Sequence, residues 1–458
     1  MKFYYRLYSG FLITERKGTK NSSFFIRHSY FFCTFAPMNC KRHLLLVFAL
    51  LNCLLIMGEN AAERTKRDFV RLGLSLYENN EVTILPTGEI KFRDLFEAVE
   101  QAEQYIYMDY FKFQQDSICG ELLKRLQRKV QQGVEVRIIF DSFGNKSSDL
   151  PLSDTLQTRL HESGIQIIAF DPVRFPWINH LMHRNHHKIA VIDGKMVYTG
   201  GMNVADYYLH GKPKVGQWRD MHIRMSGPVV DAYEALFWKM WNFKNEKQKV
   251  KNEEYKSSQF PECNSDSSLF TLHSSPTVAF ASRWPKETPG IMRQTYSIAI
   301  DNAEHLVQIV NPYAGLFGEV RAALRRALER GVRVQFMVST KSDSKANDDV
   351  IGLEMRKLMK RGAEVYYYND GFHHSKFMMI DSLFCTVGTT NLDARSLCFD
   401  YEVNAFIFDP VTTHELQKIY AEDIEQHCTL LTPEVWKERF PLGRRIRSRI
   451  FTISKRFM

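Results

Sequence analysis

No two cysteines in this 458-residue sequence stand at CxxC spacing, and the eight present (Cys33, Cys40, Cys53, Cys119, Cys263, Cys385, Cys398 and Cys428) are scattered. That sparseness excludes a disulfide scaffold and a zinc finger, and leaves the thiols as small, inert fillers. No apolar run reaches the roughly 20 residues that a bilayer-spanning helix requires, which excludes a multi-span transporter. Low-complexity composition is lacking too. With 44% hydrophobic and 25% charged residues the chain is neither disordered nor collagen-like. Its length calls for two or three domains.

A net positive charge is missing from the body. The net charge of +9 comes from the ends: residues 1–37 hold six Lys/Arg and one acidic residue, and residues 437–458 hold eight and one. The stretch between them is therefore slightly acidic. A duplex-binding nuclease would carry its basic excess on the folded body, whereas basic ends suit an anionic membrane surface.

Leu44–Met57 is a fourteen-residue apolar run broken by Asn52 and preceded by Lys41-Arg42. Its length fits a signal-peptide core or a short uncleaved anchor. Met38 opens a charged leader (MNCKRH), so Met1 and Met38 are both candidate starts. The expected division is a leader at 1–62, a first domain at 63–243, a polar linker at 244–268, a second domain at 269–436 and a basic amphipathic tail at 437–458. In that tail Arg444, Arg445, Arg447 and Arg449 alternate with Ile446, Ile450, Phe451 and Ile453, the pattern of a surface-lying membrane segment or of a solvated tail.

The body repeats with a period near 200. Ala98–Phe111 and Ala299–Tyr313 each read as a helix end running into a buried strand. Leu122–Asp141 and Val320–Ser339 each read as an amphipathic helix, a stopping glycine (Gly133, Gly331) and a β-branched strand. The stretches from Leu156 and Met355 repeat that plan around Gly164 and Gly362. Helix alternating with apolar strand means an α/β sheet covered on both faces, here built twice as a pseudo-symmetric pair.

The next repeated stretch carries chemistry. His186, Lys188, Asp193, Gly200-Gly201 and Asn203 match His374, Lys376, Asp381, Gly388-Thr389 and Asn391 at identical spacing. Each HxK pair leads into an apolar run, so each should open a strand with His and Lys on one face. Two such strands would bring two imidazoles and two ammonium groups to a common dyad, an anion site suited to a phosphodiester. One imidazole can attack phosphorus to give a phosphohistidine while the other protonates the leaving oxygen. Asn203 and Asn391 are candidate donors to phosphate oxygens. Asp193 and Asp381, part of the motif, are expected to pin backbone rather than touch substrate.

An imidazole nucleophile needs an acid on its second nitrogen. Asp220 and Glu402 occupy equivalent places in the two halves, 34 and 28 residues after their histidines. The expected assignment is therefore within each half, Asp220 to His186 and Glu402 to His374. His180, His183, His186 and His187 are dense, but no carboxylate or cysteine joins them at metal spacing, and no metal is expected.

These motifs resemble the phospholipase D superfamily, marked by two HxKxxxxD copies, over about Asn79 to Glu425. Within it the stretch from Arg184, the WRDMHIRMSGP segment from Trp218 and the stretch His374–Asn404 are most similar to bacterial cardiolipin synthases. The resemblance implies an α/β fold of two α-β-α sandwich domains with the active site at their interface. It implies a phosphatidyltransferase without cofactor or required metal: one phosphatidylglycerol forms a phosphatidyl-histidine, and a second attacks it to give cardiolipin and glycerol. His186 would be the nucleophile and His374 the acid, then the base. Implied partners are phosphatidylglycerol and anionic membrane lipids, with no nucleic acid, at the bacterial inner membrane with the catalytic domains on the non-cytoplasmic face. The alternative is a phospholipase D passing the same intermediate to water or another alcohol. Two departures stand out: a single short apolar segment where such synthases often carry two spans, and Gly388-Thr389 where Gly-Ser is commoner.

Overall fold

The computed structural model describes residues 59–172, 182–248 and 275–453. The apolar run Leu44–Met57, the two candidate starts, His180 and most of the linker lie outside them. Two mixed sheets carry the body. The first has seven strands in the order Glu81–Leu85, His222–Ser226, Met196–Gly200, Lys188–Ile192, Tyr105–Tyr110, Glu135–Asp141, Gln166–Phe170. The second has nine: Leu76–Tyr77, Thr277–Arg283, Glu402–Phe408, Phe384–Gly388, Phe377–Ile380, Leu306–Val310, Arg333–Ser339, Glu364–Tyr368, Cys428–Leu430. Apart from the two edge strands of the second, the halves share one plan. Three parallel strands run beside the HxK strand, which is antiparallel to them.

The repeat predicts these elements well. The stopping glycines Gly133, Gly164, Gly331 and Gly362 all take left-handed φ, between 84° and 97°, which a side chain would resist, and each helix ends just before its glycine. The HxK strands begin at Lys188 and Phe377. Side-chain alternation then sorts them between cores: Ile189 and Val191 point to one core, Ala190 and Ile192 to another. The first of these cores is shared by both sheets. Ile189, Val191, Val197 and Ile223 from one meet Val310, Met379, Val387 and Val403 from the other, together with Tyr233 and Tyr420 from two long helices. Each sheet has its own second core beneath the outer helices.

The expected boundaries need two corrections. Residues before Glu81 do not belong to the first half: Leu76–Tyr77 pairs with the Thr277–Arg283 strand, and Phe69 of the helix Ala61–Arg71 lies in the second half's outer core, edge-on to Phe406. Burial of that helix's apolar side, not chain proximity, decides where it packs. The helix Val229–Gln248 also runs past residue 244, where a linker was expected. Residues from Ala61 onward form one compact unit.

Candidate active site

Two short backbone pairings bring the halves together. Gly371–His373 lies parallel to Gln217–Arg219, with His373 opposite Arg219, and Asn185 forms a parallel bridge with Tyr401. The next residue along each pairing sets His374 beside Asp220 and His186 beside Glu402. The side chains follow. His374 Nδ1 is 2.7 Å from Asp220 Oδ2, and His186 Nδ1 is 3.0 Å from Glu402 Oε1. The within-half assignment is therefore wrong: each imidazole is oriented by the carboxylate of the other half. Spacing along the chain is the same for both arrangements, and only the strand pairing across the interface selects one.

Both carboxylates are buried, Asp220 at 1% and Glu402 at 0% exposure. The carboxylates favour the imidazole proton on Nδ1, which leaves Nε2 of His186 for chemistry, while at His374 the Lys376 ammonium also lies 3.0 Å from Nε2. Burial, followed by the charges of Lys188 and Lys376, holds His186 well below its usual pKa. Burial, then Lys376, does the same to His374. Both shifts favour the neutral ring, the form a nucleophile needs, and a ring that acts as the acid must take up a proton first. Burial drives Lys188 down to about 7 and Lys376 to about 8. It also raises Asp220 to about 6 against the pull of Lys376, and Glu402 to about 7 against the pull of Lys188. Each lysine also reaches back to its own histidine's carbonyl, at 2.8 Å for Lys188 and 2.5 Å for Lys376.

The two glycine turns meet their carboxylates differently. A Cβ on Gly201 would stand 2.1 Å from Asp220 Oδ1, so the shorter acid occupies the space a side chain would need. Its counterpart Thr389 does carry a side chain, and its hydroxyl donates to Glu402 Oε2. The threonine thus keeps the hydroxyl that the commoner serine would supply.

Asp193 and Asp381 stay away from the rings. Asp193 accepts from the backbone N–H of Glu103, Gln104 and Tyr105 at 2.8–2.9 Å. Asp381 does the same for Glu304, His305 and Leu306 at 2.6–2.8 Å. Each ties the end of its HxK strand to the entry of the neighbouring strand. Asn203 donates an amide N–H to the Tyr208 hydroxyl, and its oxygen accepts from Lys112 N–H. Asn391 is buried, and its Oδ1 has no partner among the described residues.

The family pattern described as "Cardiolipin synthase, PLD-like domain" matches residues 95–241 and 296–424, one match per half. The chain belongs to this family. Among its relatives, a probable cardiolipin synthase YwiE of Bacillus subtilis is 32% identical over 77% of this chain and 68% of its own length. A cardiolipin synthase of Listeria monocytogenes is 31% identical over 93% of this chain and 81% of its own. A crystal structure of phosphatidylserine synthase from Haemophilus influenzae shares the fold, with a TM-score of 0.61 at 17% identity, covering 86% of this chain and all of that one.

Within this family fold several site residues escaped the sequence reading. Arg184, fully buried, holds Asp141 at 2.8 Å and donates to the carbonyls of Phe170 and Asp171. Its own N–H donates to Asp400 Oδ1, and its carbonyl accepts from Tyr401 N–H. Arg184 therefore locks the segment entering His186 to both halves. His187 is bound to buried Asp109 at 3.0 Å. Asp423 clamps the other pairing, accepting from Arg219 and lying 3.1 Å from His373. An arginine two positions before the motif histidine was the one available signal. The dense histidines have separate partners where they are described: His183 the Phe399 carbonyl, His186 Glu402 and His187 Asp109. Phe111 stands edge-on to His186, while Trp218, Phe372 and Tyr313 surround His374.

Proposed function

We propose that this protein is a cardiolipin synthase that transfers a phosphatidyl group from one phosphatidylglycerol to another. The observation that carries the reading is the pair of imidazoles, each anchored on Nδ1 by a buried carboxylate of the other half, with a buried motif lysine two residues after each. His186 Nε2 attacks phosphorus, and the P–O bond to glycerol breaks as His374, which enters this step with a second proton on Nε2, donates that proton to the leaving oxygen, giving phosphatidyl-histidine, free glycerol and a neutral His374 ring. The second phosphatidylglycerol then loses its hydroxyl proton to His374 as its oxygen displaces His186 and forms cardiolipin. Lys188 and Lys376 bind the phosphate oxygens and stabilise the charge that develops on them. Asn391 is a further phosphate contact in this reading.

The substrate is a lipid, so the proposed location is the bacterial inner membrane, with the catalytic domains on the non-cytoplasmic face. Anionic lipids are the partners, and the apolar segment Leu44–Met57 is the anchor or signal. Among the described residues no helix is long and apolar enough to cross a membrane. The relatives' names and the site chemistry support the reading. Purified protein in detergent–lipid micelles, given radiolabelled phosphatidylglycerol with chelator present, should make cardiolipin and glycerol, and His186→Ala should make neither. Phosphatidic acid as the sole product would instead assign a phospholipase D that uses water.

A further inference from the structure

The tail expected at 437–458 splits into two helices, Pro433–Arg439 and Leu442–Ile453. They are fastened to the second half. Trp436 and Phe440 are buried and stacked on one another at 5.4 Å. Phe440 sits so close over Gly352 that a Cβ there would collide with its ring. Arg444 and Arg447 both bind the buried Asp349 carboxylate, at 2.6 and 2.5 Å. One face of the terminal helix is thereby fixed to the helix Lys345–Met359.

The opposite face is apolar and open. Leu442, Ile446 and Ile450, four residues apart, are 70%, 52% and 61% exposed. They are three of the seven exposed large hydrophobic residues among the described residues. Arg445 and Arg449 form the adjacent row of the helix. Arg445 donates to the Phe440 carbonyl and lies over Trp436. Neither arginine has a carboxylate partner among the described residues. A stripe of aliphatic side chains edged by arginines unpaired with acid has the form of a helix that lies in the headgroup layer of an anionic bilayer.

Position adds the second argument. Tyr313, ring-packed on His374 at 6.0 Å, donates to Asp343. The helix Lys345–Met359 starts two residues later, and its Asp349, about 6 Å further along the axis, holds Arg444 and Arg447. The stripe is thus joined through a short path of contacts to the ring that packs on His374. We propose that the helix Leu442–Ile453 docks this protein on an anionic lipid surface and presents the active site to the headgroups there. This rests on the proposed phospholipid substrate, and the test keeps the two apart.

Full-length protein would be assayed on dispersed short-chain phosphatidylglycerol, which needs no surface, and on vesicles of equal phosphatidylglycerol and phosphatidylcholine. Ile446→Glu with Ile450→Glu should leave turnover of the short-chain lipid unchanged and lower vesicle turnover by on the order of tenfold or more. Arg445→Gln with Arg449→Gln should lower it less, with a weaker salt dependence. In the wild type, backbone amides of 442–453 should exchange hydrogen more slowly once these vesicles are added, and pure phosphatidylcholine should protect them less. Equal vesicle turnover for wild type and the isoleucine variant would overturn the proposal. So would unchanged exchange in this helix while the protein sediments with the vesicles. Lipid-free dimers that the isoleucine variant dissolves would also overturn it, assigning the stripe to a second copy. Absence of short-chain turnover in the wild type would strike the proposed function instead, and the exchange measurement would still judge the docking.

Discussion

Protonation decides what each site residue can do, and burial sets it. Asp220 near 6 and Glu402 near 7 must be ionised to hold their imidazole protons. Activity should therefore fall as pH drops through that window, because protonated acids release Nδ1. Lys188 near 7 and Lys376 near 8 lose charge as pH rises, which weakens capture of a phosphodiester by the free enzyme. The profile of kcat/KM should be a narrow bell centred near 7, its limbs belonging to the coupled set rather than to single residues. The alkaline limb should move outward in kcat, where bound phosphate keeps the lysines charged. Substrate chemistry separates the histidines: on a nitrophenyl phosphodiester, whose leaving group needs no proton, His374→Ala should still release nitrophenolate in a stopped-flow burst. His186→Ala should show no burst. Gly201→Thr, which copies the second half's residue into the first, should push Asp220 off His374 and lower kcat by roughly two orders of magnitude.

At the scale of elements, the pairing of Gly371–His373 with Gln217–Arg219 fixes the His374 ring. Gly371 has φ 159°, and a Cβ there would lie 2.1 Å from the Gln217 carbonyl oxygen. Gly371→Ala should cost about 1–3 kcal/mol of stability, seen as a lower thermal midpoint. Its turnover should fall more than that loss explains, since His374 N–H also bonds the Arg219 carbonyl across this pairing. Most elements were legible in the sequence. The helices stop at glycines, and the strands alternate between two apolar faces, both local signals. Both HxK strands were legible for the same reason, and so was the backbone-pinning place of Asp193 and Asp381. The exchange of Asp220 and Glu402 was not, because nothing in the spacing of either half says which half's strand will lie alongside. Nor was the attachment of Leu76–Tyr77 to a strand about 200 residues away, which depends on a sheet edge that forms late in the sequence.

For the molecule as a whole, both ring–carboxylate pairs lie within one chain yet cross between its halves. Chains carrying His186→Ala and chains carrying His374→Ala, mixed one to one, should therefore show no turnover of phosphatidylglycerol. Recovered activity would mean that halves exchange between molecules. The crossed pairs also impose an order on biosynthesis. As the chain emerges, residue 186 is made long before residue 402, so the newly made first half holds its nucleophile with no acid to orient it. The helix Ala61–Arg71 waits too, since its seat beside Phe406 does not yet exist. Among the described elements, the first to leave the ribosome is one of the last to find its place, and the protein stays chemically silent until the second half has closed over it.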